Sequence, residues 1–207
     1  FTVKTAAFTQ YPNEIKTRNQ AQKSKFHFKL DWVLLLICYS FFKRSLMKKS
    51  SLPVFGVGPI YVITCSLITM LAFYLKRQGF FQAGEITSFN LVFQIFGIIL
   101  IFTGIFFWIY AVLIQNIAHE IQSGKLVTTG IYSVTRHPIY TAFFFIFSGI
   151  LTTAYNLFML GFILFFYLYL VIFMRNTEEK WLAKKFGQEY LEYAKRTPRI
   201  LPKIKFK

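Results

Sequence analysis

The sequence predicts an all-α, polytopic integral membrane protein with four to five spans, a C-terminal helical hairpin and an amphipathic cytoplasmic tail. Three observations carry this. Of the 207 residues, 55% are hydrophobic and only 15% charged, with 27 Phe. The apolar residues form long uncharged blocks of the length a bilayer core requires. The 24 Lys and Arg against 8 Asp and Glu give a net charge of +16, concentrated in segments that flank those blocks. A disordered or purely nucleic-acid-binding basic chain does not carry so much apolar bulk, and lipid headgroups account for basic tails beside membrane spans. No nucleic-acid partner is therefore expected.

Residues 1–30 contain six basic residues and one acid, Glu14, and read as a basic flexible tail ahead of a membrane domain over 31–207. The first apolar run, 32–42, has 11 residues. As a helix it reaches about 16 Å, short of the roughly 20 residues a span needs. It is either an interfacial helix or a span completed by its polar flanks. The "FKRSLMKKS" segment that follows is basic, as cytoplasmic loops are. Residues 54–75 form a span closed by Lys76 and Arg77, and 89–117 form a second, long enough to cross with tilt. A loop over 118–138 follows.

The run 139–174 holds 36 residues without a charge. One straight helix of that length measures about 54 Å against a hydrocarbon core of about 30 Å. The polar "TTAYN" at 152–156 must therefore be the tip of a hairpin with arms over 139–151 and 157–174. The first arm, at 13 residues, borrows from the preceding loop or crosses only partway. Residues 175–207 carry ten Lys/Arg and four Glu. Leu182, Phe186, Tyr190 and Tyr193 fall near one helical face, Gly187 suits a helix C-cap, and Pro198 and Pro202 stop further helix. This most basic segment belongs on the cytoplasmic side. The loop 118–138 then lies on the same side, with the uncharged tip opposite.

The hairpin returns both its ends to one membrane face. One end carries "TRHPIY" (135–140) and the other "RNTEEKW" (175–181). An imidazole, a phenol, two guanidiniums and two adjacent carboxylates converge there. Singly, Arg136 and Arg175 read as snorkelling anchors, and Glu178 and Glu179 as a helix start. Together, ionisable groups at membrane depth mark a functional site. The cysteines Cys38 and Cys65 lie in apolar blocks and read as buried thiols. The three histidines form no metal-ligand spacing, so no metal is expected.

"GKLVTTGIYSVTRHPIY" followed by "EEKWLAKKFGQEYLEYAKRTPRILP" resembles the membrane methyltransferases, among them the isoprenylcysteine carboxyl methyltransferases and the phospholipid N-methyltransferases. The resemblance spans 124–202. It implies S-adenosylmethionine as cofactor, with S-adenosylhomocysteine as product, bound at the cytoplasmic face in a pocket closed by the C-terminal tail. By position, Lys125, Leu126, Val127, Gly130, Ile131 and Tyr132 would line the cofactor, joined by His137, Pro138 and Tyr140. Glu178 and Glu179 would hold its polar groups. Arg136, Glu178 and Arg199 are the candidate catalytic residues. The implied reaction is methyl transfer to a membrane-associated acceptor, foremost the carboxylate of a prenylated cysteine or a similar lipidic carboxylate, with a phospholipid amine as the alternative. Gly97 and Gly104 do not reproduce the Gly-x-Gly that phospholipid methyltransferases carry in a span. The tail and the HP-x-Y element are also similar to those of NADPH-dependent sterol reductases, and a non-enzymatic membrane scaffold that binds anionic headgroups is the remaining reading.

Overall fold

The computed structural model describes residues 58–115 and 124–201. The run 32–42, the basic segments around it, His119–Glu120 and Pro202 lie outside the described residues. Among the described residues, six α-helices follow in order: α1 (Gly58–Arg77), α2 (Asn90–Ile109), α3 (Pro138–Thr152), α4 (Leu157–Asn176), α5 (Glu178–Phe186) and α6 (Gln188–Arg196). A π-helical turn (Tyr110–Ile114) extends α2, and 3₁₀ turns lie at Gln82–Gly84 and Gly130–Ser133. Among the described residues there is no strand, only one isolated bridge between Glu85 and Asn156. Among the described residues, three helical stretches are long and apolar enough to cross a membrane: Gly58–Arg77, Asn90–Ile114 and the one that begins at Leu157. The chain is thus an integral membrane protein of helical spans.

The expected hairpin is α3, a turn and α4. Pro138 opens α3 at its first turn, where no intrahelical N–H is needed. Asn156 caps α4, its side chain accepting from Phe158 N at 3.0 Å. Helix α3 has 15 residues, about 22 Å, so this arm is short, as the sequence implies. Its compensation is position. Thirteen of the 15 residues are buried, and α1, α2 and α4 all pack against it. Its polar Thr141, Ser148 and Thr152 are therefore shielded from lipid. The apolar faces of α1, α2 and α4 that look outward, including Ile99, Phe102 and Leu164, are the surface lipid covers.

Helices α2 and α3 run antiparallel at backbone contact. A Cβ built on Gly97 would lie 2.7 Å from Gly149 O, and one on Gly149 would lie 2.5 Å from Gly97 O. One turn pair further on, a Cβ on Gly104 would lie 2.5 Å from Ala142 O. Gly97 and Gly104 thus form a small-residue stripe, the usual device by which helices approach closely in lipid. At the hairpin tip the loop after α1 is tied down. Ile86 N donates to Tyr155 O at 2.9 Å, and Lys76 Nζ donates to Ala154 O at 2.6 Å while facing Glu85 at 3.6 Å. These contacts hold α1, α2 and the hairpin in register, leaving the opposite end free for chemistry.

The tail breaks at Gly187, the residue expected to cap a helix. Gly187 (φ 55) separates α5 from α6, so the apolar residues expected on one face are divided between two helices. Helix α6 ends at Arg196, ahead of Pro198.

Substituting Gly97 by Leu should lower the melting temperature of the detergent-purified protein, with overpacking of about 1–3 kcal/mol or more. Gly161→Ala should be neutral or stabilising, because nothing lies within 4 Å of that position. Equal losses from both variants would show that the α2–α3 approach is not what the Gly stripe provides.

Candidate active site

Residues 135–140 lead into α3, and α4 returns the chain to the same end. Thr177 breaks the chain between α4 and α5, so Glu178 and Glu179 begin α5 opposite the Arg-His-Pro turn. The positive N-terminal end of that helix favours two carboxylates there.

The two glutamates have different partners. Glu178 Oε2 accepts from Tyr140 OH at 2.6 Å, and Glu178 Oε1 lies 3.6 Å from His137 Nδ1. Glu179 takes a bidentate pair from Arg199, Nε to Oε1 at 2.8 Å and Nη2 to Oε2 at 2.7 Å. Arg136 Nη1 adds a third contact to Glu179 Oε1 at 2.9 Å and also donates to Tyr190 OH at 3.1 Å. Planar guanidinium forks suit a carboxylate in this way.

The last turns of the chain close over the site. Arg136 N donates to Pro198 O at 2.9 Å, Thr135 Oγ1 to Arg199 O at 2.9 Å, and Thr141 Oγ1 to Ile200 O at 3.1 Å. Ile200 is 2% exposed. From α6, Tyr193 OH donates to Tyr132 O at 2.5 Å, which ties the tail to the turn at Gly130–Ser133. That turn depends on Gly130, whose φ of 60 lies in the left-handed region where glycine is unstrained.

The electrostatics follow from burial and charge. Burial alone lowers the pKa of His137, but the two carboxylates of Glu178 and Glu179, 3.6 and 3.7 Å away, outweigh it and hold the imidazole above its usual range. The Glu179 carboxylate raises Arg199 further. Burial, then the Glu179 charge, pushes Tyr190 up to about 12. Burial and the nearby Glu178 raise Tyr132 as well, which locates Tyr132 within electrostatic reach of the cluster. Within this cluster two buried nitrogens lack a hydrogen-bond partner, Arg136 Nε and His137 Nε2. The closest anionic atom to the latter, Glu179 Oε1, is 3.7 Å away, beyond hydrogen-bond range.

Of the residues expected at the site, Arg136, His137, Tyr140, Glu178, Glu179 and Arg199 are brought together. Pro138 opens α3 beside them, and Gly130, Ile131 and Tyr132 form the adjoining turn. Lys125, Leu126 and Val127 lie in the extended segment ahead of that turn, with Lys125 exposed. None of these three has a hydrogen bond or ion pair to the cluster. Sequence reasoning missed Tyr190 as a partner of Arg136, and Thr135 and Thr141 as the hydroxyls that hold the tail. The hydroxyls carried no signal, because their partners are backbone carbonyls some sixty residues away.

The raised His137 sets a pH dependence. The unfolded value is about 6.5, and the folded value is higher. The stabilisation is therefore fully present below the unfolded pKa and is lost as pH rises through the folded one. The wild-type melting temperature should fall as pH is raised from 6 into the alkaline range, and His137→Gln should flatten that slope. A slope unchanged by the substitution would assign the dependence to other groups.

Neither the curated proteins nor the solved structures provide a match to this chain. A family model does, that of the phospholipid methyltransferases, over residues 89–189. The matched stretch runs from the start of α2 through the Arg-His-Pro turn and the hairpin to the first turn of α6, and so takes in Arg136, His137, Tyr140, Glu178 and Glu179. Over this stretch the chain is similar to the phospholipid methyltransferases, which are integral membrane methyltransferases.

Proposed function

We propose that the cluster at the end of the hairpin binds S-adenosylmethionine, and that the protein transfers its methyl group to the carboxylate of a prenylated cysteine or a similar lipidic carboxylate at the cytoplasmic face. Family members generally use this cofactor, and the residues here fit it. Arg136 Nε and His137 Nε2 are buried donors without partners, as the carboxylate of an amino acid head requires. Glu178 Oε1 meets only His137 at 3.6 Å, which leaves acceptor capacity for an ammonium or a ribose hydroxyl. Gly130 allows close approach of backbone to a ligand. The bound cofactor supplies an electrophilic methyl group.

The observation that carries the acceptor class is that, against the raising effect of burial, His137 and the donors of Tyr140 and Arg199 hold both carboxylates below their usual range, which makes them weak bases. Glu179 is taken by Arg136 and Arg199, and Glu178 by Tyr140. His137 lies between the two carboxylates, 3.6 Å from Glu178 and 3.7 Å from Glu179, and their charges favour its protonated form. An amine acceptor must lose a proton first, whereas a carboxylate is already ionised at pH 7. Catalysis then consists of alignment and desolvation of the acceptor, with Arg136 and Arg199 as the cations beside it. The phospholipid methyltransferase match favours a second reading, N-methylation of a lipid amine.

Transfer of labelled methyl from S-adenosylmethionine to an S-farnesyl cysteine derivative, compared with phosphatidylethanolamine, separates the two. The carboxylate reading expects a base-labile ester that releases methanol. A base-stable methylamine instead would establish the lipid-amine reading. S-adenosylhomocysteine at about 100 times its dissociation constant should stabilise the protein by about 2.7 kcal/mol, and Glu178→Ala should abolish the shift. NADPH should give none; a shift with NADPH alone would place the chain with the reductases.

A further inference from the structure

The stripe Phe107, Ala111 and Gln115 runs along one face at the end of α2. Phe107 and Ala111 pack in one buried cluster with Ile131 and Ala142. Gln115 continues the stripe and is the last described residue before the loop. It ends a π-helical turn, with Gln115 N donating to Tyr110 O at 2.9 Å. Such wide turns insert one residue into a helix and occur often at functional sites.

The insertion brings the Gln115 side chain onto the turn at Gly130. Its Oε1 accepts from Ile131 N at 3.1 Å, and its Nε2 donates to Thr129 O at 2.9 Å. The carboxamide thus bonds the backbone on both sides of Gly130, as a neighbouring strand would. The fit has no slack: a Cβ built on Gly130 would lie 2.6 Å from Gln115 Oε1. Only a carboxamide provides one donor and one acceptor at that reach. Glutamate keeps the acceptor but sets a carboxylate oxygen against Thr129 O, and asparagine is one methylene short.

We propose that Gln115 is a positioning residue. Through Gly130 it holds the turn over 129–132 in one conformation and so links the end of a membrane span to the segment that faces the cofactor. The consequence for ligand binding rests on the function proposed above; the hold on the turn does not.

The test uses the full-length protein in detergent, with Gln115→Ala and the equal-sized Gln115→Glu. Amide exchange at 129–133, read without ligand, should accelerate at least tenfold in both variants while other helices and the melting temperature stay unchanged. Affinity for S-adenosylhomocysteine should fall about tenfold, the scale of one or two lost hydrogen bonds. Gly130→Ala should also weaken binding, and less so in the Gln115→Ala background, where the crowding oxygen is gone. Unchanged exchange at 129–133 would overturn the proposal, as would faster exchange with unaltered S-adenosylhomocysteine affinity. If the wild type does not bind S-adenosylhomocysteine at all, the cofactor reading fails separately. Exchange then decides alone: acceleration confined to 129–133 supports the positioning role, and its absence overturns it.

Discussion

A bilayer core about 30 Å thick cannot hold a straight apolar helix of 36 residues, and most of the architecture follows from that mismatch. The chain turns at residues 153–156, and both ends of the uncharged run return to one face. The tip can tolerate the turn because its polar groups are satisfied by neighbours: Asn156 caps α4 and donates to Phe81 O at 2.7 Å. The short first arm is acceptable because it is the central helix, shielded by three others. A lipid-facing helix of 15 residues would leave the bilayer thinned or its own ends exposed.

The returned ends carry charge to the edge of an apolar medium, where an unpaired ion is costly. The pairing of Glu179 with Arg136 and Arg199 is the response. The three side chains come from three separate segments: the loop before α3, the start of α5 and the strap after α6. Glu179 is thus paired on both oxygens by two guanidiniums only when all three segments are in place. The carbonyls of Pro198, Arg199 and Ile200 are taken by Arg136 N, Thr135 and Thr141, so the strap adds backbone hydrogen bonds to the ionic contact. Closure of the tail and assembly of the site are one event.

The sequence made the spans, the hairpin and its tip legible because they depend on length and hydropathy, which are local. The convergence of Arg136, His137, Tyr140, Glu178 and Glu179 was legible for the same reason: it follows from the hairpin's geometry. What the sequence did not reveal depends on long-range geometry. The strap after Pro198 is fixed by hydroxyl-to-carbonyl bonds that any Thr could make. The stop at Gly187 was legible as a helix C-cap, but the second helix that starts at once after it was not, because a cap residue does not encode where the chain goes next. Gln115 is one polar residue at the end of an apolar block, and only the π turn before it explains why it reaches Gly130. Gly97 and Gly104, notable in sequence for lacking one spacing, serve instead as the packing face for Gly149 and Ala142.

The adjacent glutamates illustrate how a helix start assigns roles. Successive residues on a helix point about 100° apart and do not face one another. Glu178 and Glu179 therefore cannot share one set of partners, although the helix dipole favours both as anions. One turns toward Tyr140 and His137, and the other toward the two guanidiniums. Glu179, bonded on both oxygens, is committed to holding the tail. Glu178, bonded strongly on one oxygen, keeps acceptor capacity beside the two unpartnered donors of Arg136 and His137. A pair that reads as a single acidic motif is thus divided by backbone geometry. One member closes the site, and the other is left to meet whatever enters it.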